Sequence, residues 1–244
     1  PKHPYTKGLL ACRPPLEKRL KQLPVISDFM EIDPNGQLIE KEASVAKVIN
    51  DRIVSSNETK ARYESLIQQK PILEVKNIQT WFPTKTNFLG KTTEYVKAVD
   101  DLTFDVYPGE TLGLVGESGC GKTTLGRSIL RLVEPTGGEV LFEGQNIRDL
   151  KSKDLKNLRK DMQIIFQDPY SSLNPRMTIG NAIMEPMQVH EMYENDKQRK
   201  AKVIELLEKV NMLPEHFNRY PHEFSGGQRQ RICIARALGL NPRF

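Results

Sequence analysis

From residue 72 onward, the hydrophobic and polar positions predict strands that are separated by helices. Ile72–Ile78 alternates apolar and polar residues with the two-residue period of a half-buried strand, and Val96–Val106 adds β-branched and aromatic residues. Thr111–Val115 is a short apolar run, which predicts a buried parallel strand. Val140–Phe142 and Met162–Phe166 predict two further strands.

The helix-like segments lie between and after these strands. Helices are predicted over Thr123–Leu132, in a basic stretch near residues 152–160, from Asn181 to Val210 and from Arg229 to Leu240. The clearest helical spacing is i, i+3, i+4, i+7, at Val203, Leu206, Leu207 and Val210. Because strands and helices alternate and a helical block follows residue 167, the pattern predicts an α/β domain with a helical subdomain.

The first seventy residues carry a weaker pattern. Prolines are concentrated in residues 1–36, which predicts turns and short segments, and Asp33–Gly36 is a strong turn signal. Residues 37–70 contain neither proline nor glycine, so they predict a helical linker of middling amphipathicity that Pro71 ends.

Composition and charge exclude only a few classes of protein. Of the 244 residues, 38% are hydrophobic and 27% charged, as in soluble globular domains. No apolar run approaches the ~18 residues of a membrane helix, which excludes a transmembrane channel but leaves a peripheral membrane subunit open. The net charge of +5 suits nucleic acid, anionic headgroups or nucleotide phosphates, but 36 basic and 31 acidic residues are intermingled, which favours an ordinary solvated surface.

Cysteine and histidine positions argue against a disulfide framework and a zinc site. The 3 cysteines are far apart, form no CxxC pair and favour a reducing cytosol. The 4 histidines lack the spacing of zinc ligands.

A glycine-rich segment between the predicted strand Thr111–Val115 and the following helix fits the phosphate-binding pattern GxxxxGK[ST]. Its residues are Gly116, Glu117, Ser118, Gly119, Cys120, Gly121, Lys122 and Thr123, and Thr124 follows. Glycines let backbone N–H groups converge on phosphate oxygens, and the helix adds its positive N-terminal end. Lys122 would reach the β- and γ-phosphates, and the Thr123 hydroxyl would ligate Mg²⁺. Cys120 is interpreted as a small filler, because no base is identified beside it. A glycine-rich turn without a ligand is the alternative.

A second glycine pair precedes the last predicted helix. Ser225, Gly226, Gly227 and Gln228 place a hydroxyl and N–H groups at a helix start, which predicts a second anion site. The pattern SGGQ is only moderately specific alone and becomes specific in combination with the earlier phosphate loop.

Together these motifs resemble the nucleotide-binding subunits of ABC transporters. Phe224–Gln228 is similar to their signature loop, usually Leu-Ser-Gly-Gly-Gln, and Gln167 resembles the Q-loop glutamine. Similarity to the peptide and nickel importer branch lies in Asp168–Met177, Val96–Phe104 and Gly109–Glu110. The resemblance covers roughly residues 72–244. It implies a P-loop NTPase with an antiparallel β subdomain and an inserted helical subdomain, incomplete at its C-terminus.

The resemblance also implies how the residues would act. ATP would lie between two such domains arranged head to tail, with Ser225 and Gly227 closing on the γ-phosphate held by the other domain. Gln167 would sense Mg²⁺ and the γ-phosphate, so it is the candidate catalytic residue and, with Thr123, a candidate Mg²⁺ ligand. An aromatic residue would stack on adenine. Tyr95 is the candidate, an ordinary strand-end aromatic is the alternative, and its competitors are Trp81, Phe82 and Phe88.

A longer parent protein is a further implication. In this family the helix ending at Ala237–Pro242 leads into the Walker B strand, which carries the Mg²⁺-binding Asp and the catalytic Glu. The chain stops at Phe244, so we expect it not to hydrolyse ATP alone. His3–Leu10 resembles a segment of the C-terminal extension of peptide-importer ATPases. The expected organisation is the tail of a preceding nucleotide-binding domain, a helical linker and the front part of a second domain, at residues 1–36, 37–71 and 72–244.

The implied function is ATP-driven import of peptides or similar solutes by a peripheral subunit on the cytoplasmic face of the inner membrane. The implied partners are a second nucleotide-binding domain in the same polypeptide, integral membrane permease subunits and, indirectly, a solute-binding protein, with no nucleic acid. Three alternatives stay open: a non-transport ABC ATPase acting on nucleic acid or ribosomes, a tandem peptide exporter, and a regulatory module that never hydrolyses ATP.

Overall fold

The structure is a computed structural model that describes residues 4–13, 15, 19–33, 36, 38–41, 45–86 and 92–244. Contacts between Cα positions divide the chain into two units, Pro1–Lys70 and Pro71–Phe244. Of the helices in the described ranges, none has both the length and the apolar character needed to cross a bilayer. The assignment of residues 1–36 and 37–71 to a preceding domain and a linker stays a prediction.

The first unit contains short helices and a β-hairpin: α1 Pro4–Ala11, α2 Ile26–Phe29, β1 Met30–Ile32, β2 Leu38–Glu40, α3 Val45–Asn50 and α4 Ser56–Ile67. Strands β1 and β2 pair antiparallel, with Met30 opposite Glu40. At the turn, the Gly36 N–H donates to the Asp33 carbonyl over an N–O distance of 2.9 Å, and the φ of Gly36 is +79°. The predicted turn is therefore confirmed at these two residues, while Pro34 and Asn35 lie outside the described residues.

The prediction of helix throughout residues 37–70 is wrong in two places. Residues of β2 form a strand because β1 supplies their hydrogen-bond partners. The helical pattern also breaks before α4, which Ser55 caps: its Oγ accepts from the Glu58 N–H at 3.1 Å, and Glu58 Oε2 accepts from the Ser55 N–H at 2.9 Å. This reciprocal capping box starts a new helix instead of continuing α3.

The second unit begins with a four-stranded antiparallel sheet in the order β4-β3-β5-β6. Its strands are β3 Leu73–Thr86, β4 Thr92–Val106, β5 Gly137–Phe142 and β6 Gln145–Asn146. Leu73 stands opposite Val106 on one side and Phe142 on the other, and all three side chains are buried. The three strands predicted at residues 72–78, 96–106 and 140–142 are thus confirmed, and β3 and β4 extend further into a long hairpin.

Five α-helices follow the first hairpin of the second unit: α5 Lys122–Ile129, α6 Ser152–Asp161, α7 Ile179–Val189, α8 Asp196–Lys209 and α9 Gly226–Leu238. Three short 3₁₀ helices lie between them, at Ile147–Asp149, Pro214–Asn218 and Pro221–Glu223. Helix α5 packs on the sheet, where Leu125 and Ile129 join the apolar core around Leu73. A buried hydrogen bond of 2.8 Å joins the hydroxyls of Thr80 and Ser128 across the same interface. The sheet and α5 therefore share one apolar core, and the glycine-rich loop lies directly before α5.

Helices α7, α8 and α9 surround a second apolar core, which confirms the predicted helical subdomain. Val203, Leu206 and Leu207 are fully buried in it, as their spacing predicts. The helical pattern predicted from Asn181 to Val210 corresponds to two helices, because α7 ends at Val189 and Asn195 caps α8 by accepting from the Gln198 N–H at 3.0 Å.

The predicted strands Thr111–Val115 and Met162–Phe166 do not form. Leu112, Leu114 and Val115 have exposed fractions of 47%, 51% and 91%, so the first segment is not buried either. An apolar run becomes a strand only beside a hydrogen-bonded neighbour. Within the described part of the chain, the strands pair only with one another in the two sheets given above, and neither segment joins them. The Gln163 N–H donates to the Phe244 carbonyl at 3.0 Å, but this contact does not extend along Met162–Phe166 into a ladder.

The first residue before α5 provides a stability test of this fold. Gly121 has a φ of +98°, and a Cβ there would lie 2.0 Å from the Ala98 carbonyl oxygen of β4. We expect Gly121→Ala to lower the free energy of unfolding by about 3 kcal/mol, since backbone strain and overlap add. Gly126→Ala is the control within α5, where a Cβ meets nothing within 4 Å, and it should stabilise by up to about 1 kcal/mol. Urea unfolding measures both, and equal effects would contradict the proposed backbone contact.

Candidate functional site

The glycine-rich loop lies between the sheet and the first turn of α5. Gly119 and Gly121 have φ values of +83° and +98°, which let the loop fold back toward the helix. Gly121 occupies the N-cap position and has no side chain to accept from the first-turn N–H groups. These N–H groups and the positive helix end therefore point at one place, which is the arrangement that binds phosphate.

Lys122 is folded over this loop. Its Nζ donates to the carbonyl oxygens of Gly116 and Glu117 at 2.7 and 2.6 Å and lies 3.6 Å from Cys120 Sγ. Glu117, Ser118 and Cys120 are exposed. A Cβ at Gly116 would lie 2.7 Å from Cys120 Sγ, so the thiol fills the space that a side chain at residue 116 would need.

A cavity of about 740 Å³ adjoins the start of α5, a volume typical of small-molecule sites. Lys122, Thr123 and Gln167 all line it. Arg127 and Arg236 add two further cations, with the Arg127 guanidinium 5.8 Å from the centre of the Phe166 ring. Three cations around one cavity suit a polyanionic ligand.

The oxygen donors of this cavity fit Mg²⁺ in combination with a phosphate ligand. The Thr123 hydroxyl and the Gln167 side-chain amide are hard oxygen donors, the type that Mg²⁺ prefers. Among the described residues, no group of three or more His, Cys, Asp or Glu side chains could hold a metal alone. Mg²⁺ commonly binds through one or two protein groups, water and substrate phosphates, and this donor set is of that kind.

The segment Ser225–Gln228 forms the start of α9. Ser225 Oγ accepts from the Gln228 N–H at 3.3 Å, and Gln228 Oε1 accepts from the Ser225 N–H at 2.9 Å. Gly226 and Gly227 are exposed in the first turn. The predicted hydroxyl and N–H groups at a helix start are thus present. Among the described residues that line the cavity, none belongs to residues 225–228, so the two motifs of one chain face different places.

The loop after Gln167 is ordered by its own hydrogen bonds. Asp168 Oδ1 accepts from the Tyr170 N–H at 2.9 Å, and Oδ2 accepts from the Ser171 N–H at 3.3 Å. The bond from Tyr170, followed by that from Ser171, holds the pKa of the Asp168 carboxyl below its ordinary value. Ser172 Oγ donates to the Asp168 carbonyl at 2.6 Å, which closes the turn.

Two arginines of α9 contact this loop and were missed by sequence reasoning. The Arg229 guanidinium lies 3.9 Å from the centre of the Tyr170 ring, and Arg236 Nη1 donates to the Ser172 carbonyl at 2.5 Å. The available signal was their spacing of seven residues, which places both side chains on one face of a helix.

Among the described residues of the β3–β4 hairpin, no aromatic side chain lines the cavity. Tyr95 is half exposed and lies 6.1 Å from the Trp81 ring, and Lys97 Nζ is 4.3 Å from the centre of that ring. Phe82 is also exposed and away from the cavity lining, while Phe88 lies outside the described residues. Ala98, which abuts Gly121, follows Tyr95 closely on β4. The adenine-stacking role of Tyr95 therefore stays a prediction.

Several known proteins are similar to this chain in sequence. A model of the ABC transporter family matches residues 99–244. Proteins named glutathione import ATP-binding protein GsiA, from Pectobacterium atrosepticum and Escherichia coli strain K12, are 48% and 49% identical over 243 residues. Those alignments cover 100% of this chain and 36% of each relative, so the chain spans about a third of the length of these curated relatives.

Solved structures agree with the family match. A dimeric ATP-binding cassette in a post-hydrolysis state, bound to ADP and Pi, has a TM-score of 0.61 at 28% identity, covering 70% of each chain. CbiO1 from Clostridium perfringens, part of the ABC transporter complex CbiONQ, has a TM-score of 0.55 at 24% identity and covers 71% of this chain and 63% of its own. These structures confirm the predicted α/β fold class. Since the family model matches more than half of the sequence, the chain belongs to the ABC transporter family, as an ATP-binding domain.

Proposed function

We propose that the whole protein containing this chain binds and hydrolyses ATP to drive the import of peptides or similar small solutes. The observation that carries the proposal is the single cavity lined by Lys122, Thr123 and Gln167 at the start of α5. The relatives named for glutathione import support a peptide as the cargo, because glutathione is itself a small peptide.

ATP binding would use groups that the fold already holds in place. The N–H groups of the loop and of the first turn of α5 would bind phosphate oxygens. Lys122 would exchange its bonds to the Gly116 and Glu117 carbonyls for bonds to the β- and γ-phosphates. Thr123 and Gln167 would hold Mg²⁺, which neutralises negative charge on the phosphates when bound.

Hydrolysis is proposed for the whole protein. Turnover would also need the Walker B Asp and Glu that the family resemblance implies. Gln167 is the candidate catalytic residue within the chain, because its side chain faces the same cavity as the phosphate-binding lysine.

The signature segment is proposed to act on a second nucleotide-binding domain. Ser225, Gly226 and Gly227 begin α9 away from the cavity of their own chain, so a head-to-tail partner would place them against its γ-phosphate. The dimeric cassette at 28% identity supports this arrangement. The resemblance of residues 3–10 to the extension of a peptide-importer ATPase, together with the greater length of the relatives, supports a partner domain in the same polypeptide. His3 itself lies outside the described residues.

The proposed setting is the cytoplasmic face of the inner membrane. The protein would be a peripheral subunit that contacts integral permease subunits and, through them, depends on a solute-binding protein. Residues 1–36 would be the tail of a preceding nucleotide-binding domain, residues 37–71 a linker, and residues 72–244 the front part of the second domain.

Lys122→Ala tests ATP binding. Because a charge-assisted phosphate contact is lost, we expect the affinity of the whole protein for Mg-ATP to fall about a hundredfold. Isothermal titration calorimetry measures the affinity. Lys153→Ala on the exposed side of α6 is the matched control and should leave it unchanged. Equal affinity of the Lys122→Ala and parent proteins would refute the proposed phosphate site.

Ser225→Arg tests the head-to-tail arrangement. The long side chain should block closure onto the second domain while ATP affinity at the chain's own loop stays the same. Small-angle X-ray scattering of the whole protein, with and without Mg-ATP, follows compaction or dimerisation. Ser225→Ala controls for the lost helix cap, which alone is worth about 1 kcal/mol. A normal ATP response in Ser225→Arg would contradict the sandwich.

Purification from membranes tests transport against the nucleic-acid alternative. We expect the whole protein, extracted in mild detergent, to copurify with integral membrane permease subunits that mass spectrometry identifies. The affinity tag expressed alone is the control. Copurification with ribosomes or nucleic acid, and with no permease, would contradict the transport function.

A further inference from the structure

The loop that follows Gln167 is attached to the helical subdomain at three successive points. The ring of Tyr170 lies on the Arg229 guanidinium, and the carbonyl of Ser172 accepts from Arg236. The next side chain, Leu173, is 4% exposed and belongs to the apolar core of α7, α8 and α9. This loop therefore belongs to the helical subdomain, although Gln167 directly before it lines the nucleotide cavity.

Arg229 is a charged side chain that lies almost entirely inside the fold. Only 7% of the residue is exposed, and its Nε donates to the Pro221 carbonyl at 2.7 Å. Within the described ranges no carboxylate forms an ion pair with it, so carbonyl dipoles and the Tyr170 ring face stabilise the charge. A cation–π contact is strongest where the cation is desolvated, and this one meets that condition. Tyr170 is 69% exposed, so its place over Arg229 reflects this contact more than burial of the ring.

Arg229 and Arg236 lie on the same helix as the signature segment. Ser225 caps α9, Arg229 follows one turn later, and Arg236 lies near the opposite end. A helix transmits displacement along its length because its backbone hydrogen bonds hold it together. A movement of Ser225 would thus carry Tyr170 and Ser172 with it.

We propose that Arg229 and Arg236 are positioning residues that hold the loop after Gln167 on α9 and thereby set the position of Gln167 in the cavity. Only the roles of these two residues rest on the proposed function; the attachment of the loop does not.

The test measures amide hydrogen exchange in the nucleotide-free whole protein. Tyr170→Leu removes the ring face from an exposed position, and we expect exchange of the amides at residues 170–173 to rise about tenfold, which corresponds to about 1.4 kcal/mol. Tyr170→Phe keeps the ring face and should restore slow exchange. Tyr63→Leu, at a similarly exposed tyrosine of α4, is the matched control and should not alter these amides.

Steady-state ATP hydrolysis by the same proteins gives the functional readout. If the loop positions Gln167, Tyr170→Leu should lower kcat about tenfold and leave the KM for ATP within about twofold, because the phosphate loop is untouched. Arg236→Lys, which keeps the charge but loses the planar fork, should have the same sign of effect on both readouts.

Two results would overturn the proposal. Unchanged exchange at residues 170–173 in Tyr170→Leu and Arg236→Lys would show that the arginines do not hold the loop. Faster exchange with unchanged kcat would show that the loop does not position Gln167. Since exchange is measured without nucleotide, it remains decisive even if Lys122→Ala shows that the proposed ATP site is wrong.

Discussion

The position of the phosphate loop depends on one backbone contact between two elements that are distant in sequence. The Ala98 carbonyl of β4 approaches Gly121 so closely that no side chain fits there, and Gly121 also adopts a left-handed conformation. This contact places the first turn of α5 against the antiparallel sheet. The apolar residues Leu125 and Ile129 then pack the helix against the sheet. The position of the N–H groups that could bind a phosphate follows from this placement.

The second unit has two apolar cores, and the candidate site spans them. Lys122 and Thr123 come from the layer formed by the sheet and α5, while the loop after Gln167 is anchored by Leu173 in the core of α7–α9. A ligand in the cavity would therefore contact residues that are attached to both cores.

Local patterns predicted the features that depend on neighbours in sequence. Alternation located β3, β-branched and aromatic residues located β4, helical spacing located the buried face of α8, and the motif at residues 116–123 located a glycine-rich loop directly before α5. Features that depend on distant partners were missed. The run Thr111–Val115 has strand composition but no neighbour to pair with, and the Arg229–Tyr170 contact joins residues whose proximity only the folded chain creates. Single aromatic residues such as Tyr95 carry no pattern at all.

The bonds from Lys122 to Gly116 and Glu117 bear on how tightly the loop could bind a ligand. A free lysine side chain loses up to about 2 kcal/mol of rotamer entropy when it is fixed in one place. Here the side chain is already ordered before any phosphate arrives, so that loss belongs to folding and is not subtracted from the binding free energy. The loop is in this sense preorganised, and its lysine needs only to exchange one set of oxygen acceptors for another.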